Sequence, residues 1–129
     1  ITKVVSVKPI KERVFVTVDG SAFNTKPTFH AVNMPHQIIR QNEESSIQTF
    51  DVVGATCMEK DILLKDITEP LPQVGDYIRI DSIGAYTLVM TPPFINPAPA
   101  ILADEAGEIK CVRKKQTLDE IFSNYEFEQ

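Results

Sequence analysis

Prolines break this chain into pieces, and that punctuation limits its fold more than any other feature. Pro70-Leu71-Pro72, Pro92-Pro93 and Pro97-Ala98-Pro99 interrupt the second half, and Pro9, Pro27 and Pro35 the first. Each proline removes a backbone donor and fixes φ, and it pushes the preceding residue toward an extended conformation. Short runs rich in β-branched residues lie between these breaks. Val4–Lys8 and Val14–Val18 read as strands, joined as a hairpin through Lys11-Glu12-Arg13. Pro9 ends the first of them or places it at a sheet edge. Asp19-Gly20-Ser21 is a turn, and Phe29–Val32 is a third strand. His36–Arg40 alternates only loosely. Ile47–Val53 alternates cleanly, with Ile47, Thr49, Asp51 and Val53 opposite Gln48, Phe50 and Val52.

Ile62-Leu63-Leu64 is a short apolar run, and Pro70-Leu71-Pro72 ends regular structure after it. Gly75-Asp76 turns the chain into a strand at Tyr77–Ile80, and Tyr86–Met90 reads as another. The segment around Phe94 is extended without ladder partners. Ala100–Leu102 and Ile109–Arg113 form a hairpin around Asp104–Gly107. Thr117-Leu118-Asp119-Glu120 is a capping-box pattern, followed by a stripe of Leu118, Ile121 and Phe122. It predicts a single helix of about two turns at the C-terminal end. Many short strands with one terminal helix predict an all-β Greek-key barrel or sandwich.

The length of 129 residues suits one domain with a core of its own. Charge and composition remove several function classes. The net charge is -5 and no basic run could track a phosphate backbone, so nucleic acid is not an expected partner. No apolar run reaches membrane-spanning length, and no secretory leader is legible. Cys57 and Cys111 do not make a disulfide framework, which fits reduced thiols and a cytoplasmic setting. His30 and His36 lack cysteine or carboxylate companions at ligand spacing, so no metal site is expected. There is neither a phosphate-binding glycine loop nor a nucleophile elbow.

One polar turn stands out within Val53–Leu63. Cys57 follows Gly54-Ala55-Thr56 and precedes Met58-Glu59-Lys60-Asp61. A buried free cysteine is a common core residue. In a polar turn, however, with Lys60 and backbone donors nearby, a thiol suits proton transfer or nucleophilic work. Cys111 lies within a strand and reads as packed. Taken alone, Glu59 and Asp61 are loop charges or caps, and Asp76 is a turn former. Tyr86, just after Gly84-Ala85, sits at a strand start near a loop rim, where a phenol can meet a ligand.

Read together, Gly54/Cys57/Asp61, Gly75-Asp76, Gly84-Ala85-Tyr86 and Phe94 resemble a known pattern. It is the C-terminal β-domain of the pyridoxal-phosphate-dependent decarboxylases that act on ornithine, diaminopimelate and related amino acids. Asp19, Asn24 and Pro27, His36, and the run from Gly107 to Thr117 also resemble that domain. The resemblance implies the alanine racemase type of β-domain, which in the full-length enzyme is paired with a (β/α)8 barrel of about 250 residues. The barrel carries the cofactor lysine. The resemblance further implies a homodimer in which the β-domain of one subunit completes the site of the other. Cys57 is then catalytic, acting in the protonation that follows decarboxylation. Tyr86 contacts pyridoxal phosphate, and Met58, Glu59, Asp61 and Phe94 lie toward the amino-acid substrate.

Two departures mark this chain. Met58 stands where ornithine and diaminopimelate decarboxylases carry an acidic residue, so Glu59 substitutes for it or the substrate is larger or less cationic. Ile95 stands where many members have asparagine, with Asn96 displaced by one. The chain starts at Ile1 and has no room for the barrel, so it reads as a domain cut from a larger enzyme and inactive alone. The alternative is a stand-alone, non-catalytic β-barrel with a binding, regulatory or dimerisation role, since folds outlive their chemistry.

Overall fold

The computed structural model describes residues 1–25, 32–41 and 45–126. The chain divides into two compact units, Ile1–Met90 and Thr91–Gln129. The first unit contains β1 (Thr2–Ile10), β2 (Arg13–Val18), α1 (Ala22–Thr25), β3 (His36–Ile39), β4 (Ile47–Val53), β5 (Ile62–Pro70) and β6 (Tyr77–Ile80). Its strands form one six-stranded sheet in the order β3-β6-β1-β2-β4-β5. β2 and β4 run parallel, and the other neighbours are antiparallel.

Period-two patterning carries this sheet. In β6, Ile78 and Ile80 are buried while Tyr77 and Arg79 face outward. In β4, Phe50 and Val52 point inward, as their alternation predicts. They join Val4, Val16, Val18, Ile38, Leu63, Leu64, Ile67 and Ile78 in one apolar cluster. Asp51 breaks the alternation and is buried as well. The cause is a bulge: Phe50 pairs with Ile67 and Val52 with Leu64, so Lys65 and Asp66 together oppose Asp51. Asp66 takes φ +53, and its N–H donates to Asp51 Oδ1 at 2.8 Å. The Arg13 guanidinium donates to Asp51 Oδ2 at 2.6 Å, which pairs the buried charge.

The hairpin of β1 and β2 and the strands β4 and β6 form where the sequence places them. Pro9 stays in β1 opposite Val14, on a stretch with a strand on one side only, because β6 pairs with just Thr2 and Lys3. The apolar run at Ile62 continues to Pro70, which is tolerated because β5 is an edge strand. His36–Ile39 becomes β3 through pairing with β6, despite its loose alternation. Residues 29–31 of the expected third strand lie outside the described residues.

Two expectations are corrected. Tyr86–Met90 is a series of turns, not a strand. The Val89 and Met90 N–H groups both donate to the Tyr86 carbonyl, and Tyr86 sits at φ +67. Val89 is a β-former, but among the described residues no ladder pairs it or Leu88, and both are exposed. Cys111, expected to be packed, is exposed on a strand with little burial.

The second unit holds β7 (Ile101–Glu105), β8 (Glu108–Arg113) and α2 (Leu118–Phe122). β7 and β8 form an antiparallel hairpin turned by Ala106 at φ +55 and Gly107 at φ +91. α2 carries the full capping box. Thr117 Oγ1 accepts from Glu120 N–H at 3.2 Å, and the Glu120 carboxylate accepts from Thr117 N–H at 2.7 Å. α1 was not anticipated, because four residues are too few to show a helical period. Its signal was local: Ser21 Oγ accepts from Phe23 N–H, and the Asn24 side chain accepts from Ser21 N–H.

Candidate functional site

The turn between β4 and β5 is assembled around one carboxylate. Gly54 N–H donates to the Asp61 carbonyl at 2.8 Å and closes the base of the loop. Asp61 N–H donates to the Met58 carbonyl at 3.0 Å and folds the tip back. The Asp61 side chain turns inward and is 3% exposed. Its Oδ1 accepts from Ala22 N–H at 2.7 Å, and its Oδ2 accepts from Thr56 N–H at 3.1 Å and from the Thr56 hydroxyl. A buried carboxylate is tolerable when backbone and hydroxyl donors surround it in this way. The resemblance offers Asp61 as a substrate contact, but its oxygens are engaged inside the turn. Gly54 follows from the same geometry, since a Cβ there would lie 2.2 to 2.4 Å from the carboxylate atoms.

With Asp61 turned in, the four residues between Thr56 and Asp61 are turned out. Cys57, Glu59 and Lys60 are exposed, and Met58 is 37% exposed. Among the described residues, neither Glu59 nor Lys60 has an ion-pair partner and the Cys57 thiol has no hydrogen bond. The turn therefore presents an uncommitted thiol, a thioether and two opposite charges on one short loop. Ala55 N–H donates to the Gly20 carbonyl at 2.9 Å and ties the rising side of the loop to the segment before α1.

Tyr86 sits on the turn that follows Gly84 and is 66% exposed. Its phenol has no hydrogen-bond partner among the described residues, so the O–H is available to an acceptor such as a phosphate oxygen. Its neighbour Thr87 is buried, at 8% exposure. Phe94 belongs to the second unit, where it is 39% exposed. Ile95 beside it takes φ +66, and Asn96 N–H donates to the Phe94 carbonyl at 2.8 Å. That is a γ-turn of the rare, strained hand on a β-branched residue. The first unit thus supplies two exposed turns, one bearing Cys57, Met58 and Glu59 and the other Tyr86. Thr56 and Ala22, which hold the first of them, were not singled out in the sequence. The Thr56-to-Asp61 spacing around the cysteine was their available signal.

Among the described residues no group of three histidine, cysteine or acidic side chains could hold a metal ion, and no helix is long and apolar enough to cross a membrane. Residues 1–84 match the family described as pyridoxal-dependent decarboxylase, C-terminal sheet domain. A diaminopimelate decarboxylase of Helicobacter pylori is 30% identical over 125 residues, which cover 95% of this chain and 31% of that protein. An L-glutamyl-[BtrI acyl-carrier protein] decarboxylase of Niallia circulans is 30% identical over 131 residues, covering 94% of this chain and 31% of that protein. The crystal structure of the Helicobacter pylori enzyme complexed with L-lysine superimposes with a TM-score of 0.81 at 31% identity, over 95% of this chain and 30% of that one. The chain thus spans about a third of the length of the curated relatives it matches.

Proposed function

The chain belongs to the pyridoxal-dependent decarboxylases as their C-terminal sheet domain, and from that premise we propose that it completes the active site of an amino-acid decarboxylase. The observation that carries this reading is the Cys57 turn. Its one buried carboxylate faces inward, leaving the thiol exposed and, among the described residues, without a hydrogen bond.

Pyridoxal phosphate, when bound, supplies the electron sink that lets the substrate carboxylate leave as CO2. This domain contributes contacts to that group, not a cradle for it. The exposed Tyr86 phenol fits a donor to a phosphate oxygen, while the lysine that holds the cofactor lies on the barrel. Cys57 Sγ hands a proton to the substrate carbon that has lost its carboxylate, as a placed general acid. Met58 and Glu59, exposed on the Cys57 turn, are the side chains offered to the substrate's distal end, and Phe94 is a separate apolar contact for substrate. Met58 cannot pair with an ammonium group, so the substrate is less cationic at that end than a simple diamino acid, or Glu59 meets its charge. The relatives act on both kinds of substrate by their names, diaminopimelate and a carrier-bound glutamyl group.

The working protein is a cytoplasmic homodimer in which this domain of one subunit faces the barrel of the other. The 129-residue chain alone does not decarboxylate amino acids. The test is Cys57→Ala in the full-length enzyme. Turnover falls by about 10²-fold or more, in the range of a lost general acid, with folding unchanged. Unchanged turnover and product would reduce the thiol to surface decoration and return the domain to a binding or dimerisation role.

A further inference from the structure

The Cys57 turn and the Tyr86 turn are separated by more than two dozen residues, yet both are fastened to the same four-residue helix. At its start, Ala22 N–H donates to Asp61 Oδ1 at 2.7 Å, the carboxylate that also holds Thr56. Just before it, the Gly20 carbonyl accepts from Ala55 N–H at 2.9 Å. At its other end, the Thr25 carbonyl accepts from Thr87 Oγ1 at 3.4 Å, and Thr87 is the buried neighbour of Tyr86. A helix this short has almost no stability of its own. Ser21 caps its start through Phe23 N–H, and Thr25 Oγ1 bonds back to the Ser21 carbonyl, so the segment is locked as a unit.

We infer that α1 is a strut that sets the separation of the Cys57 and Tyr86 turns, with Asp61 and Thr87 as the positioning residues at its two ends. The inference rests on the reading that Cys57 and Tyr86 act on one substrate–cofactor pair. A proton donor and a phosphate contact serving that pair must keep a fixed spacing, and small misplacements are expensive in rate. Neither positioning residue touches substrate. Each acts through a turn that does. The strut explains why a buried, charged Asp61 and a buried threonine hydroxyl occur beside loops whose other side chains are mostly exposed.

The test perturbs one end and reads the other in the 129-residue chain. Thr87→Val keeps the shape and removes the hydroxyl, and Asp61→Asn keeps the shape and removes the charge. Amide hydrogen exchange is followed at Thr56, whose N–H bonds to Asp61, and at Val89 and Met90, whose N–H groups bond to the Tyr86 carbonyl. Thr87→Val speeds exchange at Thr56 severalfold, and Asp61→Asn does the same at Val89 and Met90. In a Cys111→Ser background the alkylation rate of Cys57 by iodoacetamide also shifts with Thr87→Val. Asp51→Asn, which weakens an equally buried carboxylate in the sheet, leaves the difference between the two turns unchanged. Exchange that rises only at the mutated end, with Cys57 alkylation unmoved by Thr87→Val, would overturn the strut. Should Asp61→Asn fail to fold, Thr87→Val read at Thr56 decides alone. The underlying reading fails by a different sign, namely reciprocal exchange intact while Cys57→Ala leaves full-length turnover unchanged.

Discussion

Substituting Gly54→Ala tests the Asp61 hub most severely, because two effects of opposite sign compete. Gly54 does not lie in the left-handed backbone region, so alanine fits its conformation. On that ground alone the substitution should stabilise the chain by about 0.4–1 kcal/mol, through a less flexible unfolded state. The added Cβ, however, would sit 2.2 to 2.4 Å from Oδ2, Oδ1 and Cγ of Asp61. Ordinary carbon contacts are about 3.5 Å or more, so the overlap exceeds roughly 1 Å. The carboxylate must move, and with it go the bonds from Ala22 N–H, Thr56 N–H and the Thr56 hydroxyl. Leaving buried donors unpaired costs about 1–3 kcal/mol each, so two backbone donors give a net loss of about 1–5.6 kcal/mol after the entropic gain. Urea unfolding reads this as a lower midpoint at unchanged slope. Asp61→Ser, which shrinks the obstructing side chain, should be less harmful in the Gly54→Ala background than in the wild type, a coupling expected of touching residues. A Gly54→Ala chain as stable as the wild type, or more stable, would refute the hub.

Three further outcomes follow from the same geometry. Tyr86→Phe in the full-length enzyme should weaken pyridoxal phosphate binding about tenfold, the loss of one hydrogen bond to a charged acceptor, read by cofactor titration. Cys111→Ser should leave turnover unchanged in the assay that shows the loss for Cys57→Ala, since Cys111 lies outside the Cys57 turn. Ile95→Asn should raise the thermal midpoint by relieving about 1 kcal/mol of backbone strain at φ +66, because a β-branched residue fits positive φ worst and asparagine lacks the branch. A lowered midpoint would mean that the Ile95 side chain contributes more than its turn loses.

The elements legible in the sequence are those whose signal is local. β4 and β6 follow from period-two alternation, the β1–β2 and β7–β8 hairpins from their turns, and α2 from Thr117 and Glu120 three residues apart. The failures are decided by distant partners. Tyr86–Met90 reads as a strand by composition but has no neighbouring strand among the described residues, and its backbone bonds close on themselves as turns. His36–Ile39 has weak alternation but acquires β6 as a partner. At the site, the turn bearing Cys57 was legible from Gly54, Cys57 and Asp61, whereas the inward aim of Asp61 was not. That aim depends on Ala22, 39 residues away, and on a short helix below the length at which periodicity can be read. Pattern alone also cannot tell a charge facing a substrate from one holding up the loop beside it.

If this domain lends Cys57 to a decarboxylase site formed between two subunits, mixing two inactive partners should restore activity. A full-length Cys57→Ala enzyme is combined with a second full-length variant that has lost its cofactor lysine on the barrel, and the subunits are exchanged. With this domain completing the site of the opposite subunit, mixed dimers contain one intact site, and activity returns to about a quarter of the wild-type rate for an equal mixture. If Cys57 serves its own subunit's barrel, or serves no site, the two variants stay inactive together or the Cys57→Ala enzyme is active from the start. Either result would place Cys57 outside a site shared between subunits.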